Sequence, residues 1–228
     1  MQERAAGLMS VREAVTGRRS VRGFRPDPVP RDILRQILED AARAPSATNS
    51  QPWFVHVVEG AARDRVGKAV IEAAMKGEEQ WEYEYEPRKW WEPYVSRRRK
   101  VGFDLYGLVG VKREDMAARK RQALKNFEFF GAPVGLFFFT ERAQKLGSLL
   151  DTAFYMQNVM VLARVHGLET CPQAAWVHYG PVVRRALGLD DKLMLVSGMS
   201  LGYEDKSAPA NRLSTERAPL ESYVTWHG

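Results

Sequence analysis

The segment Gly147–His166 constrains the fold of this 228-residue chain more than any other stretch. At helical spacing its apolar side chains occur most of the way round, at Leu149, Leu150, Ala153, Phe154, Met156, Val159, Met160, Leu162 and Ala163. A helix that is apolar on nearly all sides is buried in a core or at a subunit interface. Glycine is the usual residue just past a helix end, because it tolerates a left-handed backbone. We therefore expect a buried helix here that ends at Gly167.

A second constraint is the run Val134–Thr140, which is almost continuously apolar. Such a run is typical of a central strand that is buried on both faces. Shorter strand patterns occur at Trp53–Val58 and Leu193–Val196. Strands and helices do not alternate strictly, and no Gly-x-Gly-x-x-Gly motif follows a strand. We predict an α+β fold in which helices flank a short mixed sheet, without a Rossmann-type NAD site.

Further helices are predicted from caps and apolar spacing. Ser10 and Glu13 have the spacing of a capping box, and Pro30 suits the first turn of the next helix. The apolar face of that helix would consist of Ile33, Leu34, Ile37, Leu38, Ala41 and Ala42. The ranges Ala61–Lys76 and Arg113–Phe130 also follow a helical pattern.

Composition limits the classes of function. With 45% hydrophobic and 27% charged residues, the chain is ordinary for a globular protein. Its length allows one large domain or two small ones, and we expect a single domain over residues 1–228. No apolar run reaches the length of a membrane span, and the N-terminus lacks a signal-peptide core, so we expect a cytoplasmic protein without a membrane partner. The lone Cys171 excludes an intrachain disulfide and is expected to be a buried thiol. The four histidines lack metal-ligand spacing, so no metal site is predicted.

The net charge of +6 is compatible with nucleic acid, an anionic cofactor or an anionic substrate as a partner. No helix-turn-helix, zinc-finger or RNP pattern is present, so nucleic acid is not the expected partner. Phosphorylated cofactors account for part of the basic excess more economically. The basic run Arg97–Lys100 is interpreted either as a solvated face or as a surface that attracts an acidic substrate or the phosphate of NADPH.

The stretch Gly77–Gly110 differs from the rest of the chain. Its aromatic residues are Trp81, Tyr83, Tyr85, Trp90, Trp91, Tyr94, Phe103 and Tyr106, and they are interleaved with charged residues. The stretch is too aromatic for a flexible linker and too polar for a core element. Long loops in compact domains are usually functional or disordered, and the aromatic content argues against disorder. We expect a lid-like excursion that lies over the body of the protein or over a partner subunit.

Two polar motifs point to a ligand. In Gly17–Phe24, the side chains of Arg18, Ser20 and Arg22 occupy alternate positions, so in an extended segment they share one side. Two guanidinium groups and a hydroxyl on one side suit a phosphate, which arginine binds in a bidentate manner. The stretch Ala44–Trp53 supplies hydroxyls, amides and free backbone N–H groups in a turn that contains two prolines. It suits a flat, polar ligand, although alone it would be read as an ordinary helix-to-strand loop.

Taken together, Gly-Arg-Arg-Ser-Val-Arg-Gly-Phe and Pro-Ser-x-x-Asn-x-Gln-Pro-Trp resemble the signature of the nitroreductase family. The resemblance continues through Gly198–Tyr203 and Pro209–Leu213 and so covers nearly the whole chain. It implies an FMN-dependent, intertwined homodimer with the nitroreductase-like fold that oxidises NAD(P)H. The excursion at residues 77–110 resembles the branch that reduces nitrobenzoate and nitroaromatic drugs, and the tail Tyr203–Gly228 would reach across to the other subunit.

The resemblance also implies which residues bind the cofactor: Arg18, Arg19, Ser20, Arg22, Pro45, Ser46, Ala47, Asn49, Gln51, Pro172, Gln173, Ala174, Ala175, Asn211 and Arg212. Arg18, Ser20 and Arg212 would hold the phosphate. Arg22 would lie nearer the ring, where a cation stabilises the anionic reduced flavin, although a surface salt bridge is an equal alternative from the residues alone. The loop from Pro45 to Asn49 would contact the flavin of the opposite subunit, whereas Gln51 either joins it or ties down the turn.

In the family, backbone N–H groups lie near flavin N5, and here Ala174 and Ala175 match those positions. Some relatives carry Glu-Gly there, so only a backbone role is implied for this chain. The position of Asn211 is more basic in some relatives, which favours Arg212 as the phosphate ligand. The implied cycle is ping-pong: NAD(P)H and then an electron-poor acceptor use the same place over the flavin. No catalytic side chain is required, and none is predicted.

A small aromatic electron acceptor is the expected substrate, either a nitroaromatic compound or a quinone. Trp90, Trp91 and Tyr94 are the candidates for stacking on its ring or on the nicotinamide, and the alternative is that they pack the excursion onto the body. Two other functions stay open. One keeps FMN but changes the acceptor, as in reductive dehalogenation or enone reduction. The other is a non-catalytic basic protein that binds flavin or nucleic acid.

Overall fold

A computed structural model describes residues 9–228, and its centre is a four-stranded sheet with the order β1-β2-β4-β3. The strands are β1 (Phe54–Glu59), β2 (Val134–Glu141), β3 (Glu169–Gln173) and β4 (Leu193–Gly202). All three neighbouring pairs are antiparallel. The prediction of a mixed sheet is wrong for these strands, because each neighbour runs back alongside the previous one. In the described part of the chain, parallel pairing is limited to an isolated bridge between Ser20 and Thr170.

The central strands β2 and β4 are buried on both faces, as predicted for β2. Alternate residues of β2 serve opposite cores: Phe137 and Phe139 face one cluster, and Leu136 and Phe138 face the other. Strand β4 continues six residues beyond the predicted end at Val196, through Gly202. The sequence pattern stops early because small polar residues follow, and the buried Ser200 hydroxyl is satisfied by donating to Gln173 Oε1 at 2.8 Å.

The helices form a layer on each side of the sheet. Helices α2 (Arg31–Ala41) and α6 (Lys145–Val165) contribute to one core cluster, and α3 (Gly60–Lys76) and α7 (Gly180–Leu187) contribute to the other. The short α1 (Val11–Gly17) packs against α6. Its predicted capping box is confirmed, since Ser10 and Glu13 bond each other's backbone N–H groups. Pro30 lies at the N-cap of α2 rather than inside its first turn.

Helix α6 is buried along most of its length, and Gly167 follows it with φ of 71°, as the sequence predicted. One stripe of apolar side chains is nevertheless uncovered in the single chain. Leu146, Leu150 and Phe154 are 70%, 58% and 49% exposed. They lie four residues apart and therefore share one face of the helix. One face of α6 is thus buried in the core, and the exposed α6 stripe on another face is compatible with a subunit interface.

The range predicted as one helix at Arg113–Phe130 is divided. Helix α5 (Met116–Leu124) begins at Asp115, whose side chain accepts from Ala118 N at 2.8 Å. A 3-10 helix, Lys125–Gly131, follows, with positive φ at Phe129 and Phe130. This turn carries both rings into the core, where Phe129 is fully buried and Phe130 is nearly so.

The excursion at residues 77–110 contains a helix that periodicity did not indicate, α4 (Tyr94–Leu108). No residue of α4 is buried. A helix without a buried face has no apolar stripe, so the pattern that identifies helices in sequence is missing. The C-terminal tail has only two short 3-10 turns, Pro209–Arg212 and Leu220–Ser222.

No helix within residues 9–228 is long and apolar enough to cross a membrane. The first eight residues, on which the absence of a signal peptide and hence the cytoplasmic location were predicted, lie outside the described residues.

Candidate functional site

The segment Arg18–Arg22 runs extended beside the edge strand β3. Ser20 pairs with Thr170, and Val21 N donates to Thr170 O at 3.0 Å. Val21 is fully buried, whereas the arginines on either side of it are partly exposed. The pairing therefore fixes which side chains of the segment point into the core and which do not.

Cys171 follows Thr170 on β3 and is buried in the same core cluster as Val21. Burial raises the pKa of Cys171 to about 11, and the charge of Arg22, a hydrogen bond with the Ser20 hydroxyl and the charge of Arg18 act against that rise. The two arginines and the hydroxyl therefore influence the same buried thiol. With the thiol 2% exposed and its pKa raised, Cys171 is a buried neutral group, as predicted.

Arg19 points to the other side of the segment. Its guanidinium pairs with Glu204 and donates to the carbonyl oxygen of Asn211. Asn211 is 6% exposed, and its side-chain oxygen accepts from Arg22 N at 2.7 Å. Its amide group donates to Gly23 O and Asp205 O, both at 2.8 Å. The two side chains therefore fasten the tail to the 18–23 segment and have their donors occupied within the chain.

The fastening leaves the next residue, Arg212, exposed beside the same segment. Asn211 holds the backbone of Arg22, so Arg212 is carried on a 3-10 turn that is fixed next to the Arg18–Arg22 segment. Asn211 has its side chain engaged within the chain, whereas the side chain of Arg212 is exposed.

Strand β3 leads directly into a 3-10 helix, Ala174–Tyr179. The first amide groups of a helix have no acceptor within it. Within residues 9–228, neither Ala174 nor Ala175 donates to a backbone carbonyl in the turns and loops around them. Gln173 is different, because its side chain is 2% exposed and bonds Asn126 O at 2.7 Å and Ser200. Pro172, on the same strand, has no backbone N–H to offer.

Trp176 packs rather than reacts. It is fully buried and contacts the rings of Phe127, Phe129 and Phe137, with centroids 4.7–5.0 Å away. A Cβ on Gly198 of β4 would come within 2.3 Å of the indole. Close packing of the indole on this glycine therefore positions the Ala174–Tyr179 helix against the sheet.

These positions fit a phosphorylated flavin. Thr170, beside Ser20, is four residues from Ala174, which is ~13 Å along an extended strand at ~3.3 Å per residue. Cations and a hydroxyl lie at one end of this path, and the first backbone N–H groups of the Ala174–Tyr179 helix lie at the other. This distance is long enough for a phosphate to bind beside the cations and the hydroxyl while a flavin ring lies beside the backbone N–H groups.

The loop Pro45–Gln51 has a fixed and unusual backbone. Thr48, Asn49 and Gln51 all have positive φ, between 48° and 59°. Such residues are uncommon outside glycine and cluster at functional sites. The loop is held by Asp151 on α6, which accepts from Ala47 N at 3.2 Å, and by Ser46 Oγ, which accepts from Gln51 N at 3.0 Å. The Gln51 side chain donates to Asn49 O at 3.1 Å, so it ties down the turn, which is one of the two alternatives given above.

The loop and the Arg18–Arg22 segment lie at opposite edges of the sheet. The loop leads into β1, whereas the Arg18–Arg22 segment lies beside β3. Three strand spacings of ~4.8 Å separate the two edges by ~14 Å. Within one chain, the structure does not bring the two predicted halves of the site together along the sheet.

The base of the excursion is clamped onto the Ala174–Tyr179 helix. Gln80 N and Glu82 N donate to His178 O and Val177 O at 2.8 and 3.3 Å, and Trp81 stacks on the His178 ring at 4.2 Å. The Glu82 side chain is 2% exposed and accepts from both Arg184 and Arg142.

Tyr83, next in the chain, extends the clamp to the sheet. Its hydroxyl donates to Val196 O on β4 at 2.7 Å, and burial raises the pKa of this phenol. Residues 80–83 are therefore part of the body, and the remainder of the excursion extends from there.

The three aromatic candidates are separated in the structure. Trp90 lines a cleft of about 770 Å³ together with Trp81 and Tyr83. Trp91 and Tyr94 are 58% and 46% exposed and meet edge to face at 5.5 Å. Neither of them lines the cleft. The geometry favours Trp90 over the other two for contact with a flat ring in this cleft.

Sequence reasoning missed the residues that hold the site in shape. Asp151 and Glu82 are nearly buried carboxylates, and Glu204 pairs with Arg19. Asp151 could have been noticed, because it interrupts an otherwise apolar stretch of α6. Glu82 and Glu204 lie among other charged residues, and no local pattern marks their long-range partners.

Comparison with known proteins gives consistent matches. The sequence model of the Nitroreductase family matches residues 15–203. A chloronitrobenzene nitroreductase from Comamonas testosteroni is 39% identical over 216 residues, covering 94% of this chain and 95% of the relative. A 4-nitrobenzoate reductase from Nocardioides sp. is 38% identical, covering 93% of this chain and 87% of the relative.

Solved structures match equally well. The FMN- and NADPH-dependent nitroreductase NfnB from a Sphingopyxis strain has a TM-score of 0.93 at 41% identity, covering 96% of this chain and 100% of that one. The FMN-dependent nitroreductase NfnB from Mycobacterium smegmatis, solved in complex with NADPH, has a TM-score of 0.91 at 33% identity, covering 95% and 97%.

The clamp at the base of the excursion is testable. Glu82→Gln removes the buried partner of Arg184, whose side chain is 6% exposed, and leaves it only the exposed Asp191 at 3.4 Å. Breaking a buried ion pair costs about 3–5 kcal/mol of folding free energy, and an exposed partner offsets little of that loss. Urea unfolding should show this loss for Glu82→Gln and little change for Glu84→Gln, since the Glu84 side chain is 89% exposed. Equal stability of the two variants would contradict the clamp.

Proposed function

This chain belongs to the nitroreductase family, and on that premise we propose that it is an FMN-dependent oxidoreductase that uses NAD(P)H to reduce nitroaromatic compounds. The observation that carries the proposal is the path along β3, with the Arg18–Arg22 segment beside one end and the first amides of the Ala174–Tyr179 helix at the other. Relatives that are named nitroreductases and that match over nearly the whole chain support the acceptor class.

Each part of the path has a role in the proposal. Arg18, Ser20 and Arg212 bind the phosphate, because they supply charged or hydroxyl donors and an arginine stays charged. Arg22 lies between the two ends, where its charge stabilises negative charge that develops on the ring. The backbone N–H groups of Ala174 and Ala175, at the start of their 3-10 helix, would be the donors that orient a bound flavin ring. FMN, when bound, supplies the two-electron redox chemistry itself.

No side chain along this path is placed to act as a nucleophile or general base. Cys171 is neutral, with its pKa raised by burial to about 11, so it is protonated at neutral pH and is not a competing nucleophile. The protein therefore contributes binding, orientation and charge. NAD(P)H and the nitroaromatic acceptor use the same place in succession, which gives ping-pong kinetics. The cleft beside Trp81, Tyr83 and Trp90 is the proposed place for a flat acceptor.

The whole chain is proposed to form a single domain with a lid-like excursion at residues 77–110, and to act as a homodimer. The exposed α6 stripe supports the dimer, because contiguous uncovered apolar side chains mark interaction surfaces. The separation of the Pro45–Gln51 loop from the Arg18–Arg22 segment supports it further. A second copy can bring its loop to the flavin that the first copy holds at its β3 edge.

The absorption spectrum of the purified protein tests the function. We expect a flavin spectrum that bleaches when NADPH is added without oxygen and returns when a nitrobenzoate is added. A flavin that bleaches but is not reoxidised by nitroarenes would redirect the assignment to dehalogenation, quinone or enone reduction. Absence of flavin after reconstitution with FMN would refute the proposal.

The phosphate assignment is tested by Arg18→Ala and Arg212→Ala. Both variants should purify with less FMN, because a charge-assisted hydrogen bond to a phosphate contributes about 1.5–3 kcal/mol. That range corresponds to roughly a tenfold or greater loss of affinity. Arg217→Ala is the matched control, since Arg217 lies in the same tail and bonds only Thr215 and Glu216. Full FMN occupancy in both site variants would exclude these residues as phosphate ligands.

The dimer is tested by Leu150→Glu and Phe154→Glu. A charge on each stripe residue should convert the dimer to monomer and lower FMN content, because the loop of the second copy is then lost. Met75→Glu is the control, since Met75 is also exposed, at 57%, but lies on α3. Light scattering after size exclusion gives the mass. A stable dimer in both stripe variants would show that the interface lies elsewhere.

A further inference from the structure

A second cleft lies on the outer part of the excursion. This basic groove has a volume of about 1010 Å³ and is bordered by residues 88–90, helix α4 and residues 111–119. Six cations line it: Arg88, Lys89, Arg98, Arg99, Arg113 and Arg119. No carboxylate is among its lining residues in the described part of the chain. A concave surface with one sign of charge focuses the field on an oppositely charged ligand.

The charges of the groove are little compensated. Across residues 9–228, Lys89, Arg99 and Arg113 form no salt bridge. Arg88 and Arg98 reach Glu84 and Glu86 only at 3.8 and 3.7 Å, and the first of these pairs is almost fully exposed. Both pairs are longer than a hydrogen bond, and Lys89, Arg99 and Arg113 have no ion pair among the described residues, so the lining keeps a net positive charge.

Aromatic rings share the groove with the cations. Arg98 lies over Trp90 at 5.1 Å, and Arg119 lies over Tyr106 at 5.2 Å, so these rings orient their guanidinium groups. Phe103 also lines the groove and is 59% exposed. A ring this exposed on a cationic wall suits the stacking of a heteroaromatic base.

The groove ends close to the proposed flavin site. Gly107 and Val111 line the groove, and Val109 between them lines a smaller cleft of about 340 Å³ together with Arg22. Helix α4 also contacts the Pro209–Arg212 turn. A long ligand could therefore lie with one end near Arg22 and the other among the groove cations.

We propose that the basic groove binds the adenosine half of NADPH, with the 2′-phosphate and pyrophosphate among its arginines, and that it gives the enzyme a preference for NADPH over NADH. This inference rests on the proposed function, because it assigns the donor of that reaction. The 2′-phosphate adds a charge of about −1.5 to −2 that NADH lacks, so the cations distinguish the two donors. A nitrobenzoate carries one carboxylate, which a single arginine satisfies and which does not require six cations.

Steady-state kinetics of Arg99→Gln and Arg113→Gln test the groove. For each variant we expect the KM for NADPH to rise about tenfold, the KM for NADH to stay within twofold, and kcat to stay unchanged. Arg97→Gln is the matched control, because Arg97 lies on the same helix and carries the same charge but does not line the groove. Added salt should raise the KM for NADPH more than that for NADH, since it screens the extra phosphate.

Calorimetry of the flavin-loaded protein with 2′,5′-ADP and with 5′-AMP tests the same groove without turnover. The wild type should bind 2′,5′-ADP more tightly, and Arg99→Gln should abolish the difference. The proposal would be overturned if the wild type bound the two nucleotides with equal affinity. It would also be overturned if the variants raised the KM for NADPH and the KM for NADH by the same factor. A raised KM for 4-nitrobenzoate with an unchanged KM for NADPH would assign the groove to the acceptor instead. If the protein bound 2′,5′-ADP tightly but reduced no nitroarene, the proposed function would be refuted. The assignment of the groove as a site for the adenosine half of NADPH would stand.

Discussion

The site depends on the pairing of residues 18–22 with strand β3. One backbone hydrogen bond, from Val21 to Thr170, fixes Val21 in the core, while Arg18, Ser20 and Arg22 at the alternate positions stay partly exposed. Because side chains alternate along an extended segment, a slip of one residue would bury arginines and expose Val21. That cost fixes the register. Asn211 reinforces it by bonding the backbone on both sides of the Arg22–Gly23 peptide, which ties the position of the tail to the same register.

The excursion is fixed by electrostatics rather than by apolar packing. Glu82 is buried against Arg184 and Arg142, and Gly180 leaves the space it needs, since a Cβ there would meet the carboxylate at 2.1 Å. Breaking such a pair leaves a buried charge, so detaching the base of the excursion from the body has a high free-energy cost. Beyond this clamp the chain is mostly exposed, and α4 has no buried residue. The excursion thus combines a fixed base with an outer part that few core contacts constrain.

Much of the fold could be predicted from the sequence, and the failures have physical causes. The apolar runs at β2 and α6 and the caps of α1 and α6 follow local rules, and the structure agrees with them. Helix α4 was missed because an exposed helix has no periodic face, and β4 was cut short because buried serines read as polar. In the site, the alternation of Arg18, Ser20 and Arg22 was visible in sequence. The roles of Glu82 and Asp151 were not, since their partners are 60 and 104 residues away.

The contrast between a rigid sheet and an exposed excursion explains how one fold can retain its cofactor while its other ligands vary. The path along β3 is built into the sheet, where a change in one side chain disturbs the register or the packing of Trp176. Much of the basic groove is formed by α4, which has no buried residue, so the α4 side chains that line it can change at little cost in stability. Residues that hold a flavin are therefore expected in the sheet and its edges. Residues that determine the donor or acceptor are expected on the excursion and beside it. Three of the six groove cations, Lys89, Arg99 and Arg113, form no ion pair within residues 9–228, so folding does not account for them, whereas the proposed phosphorylated donor does.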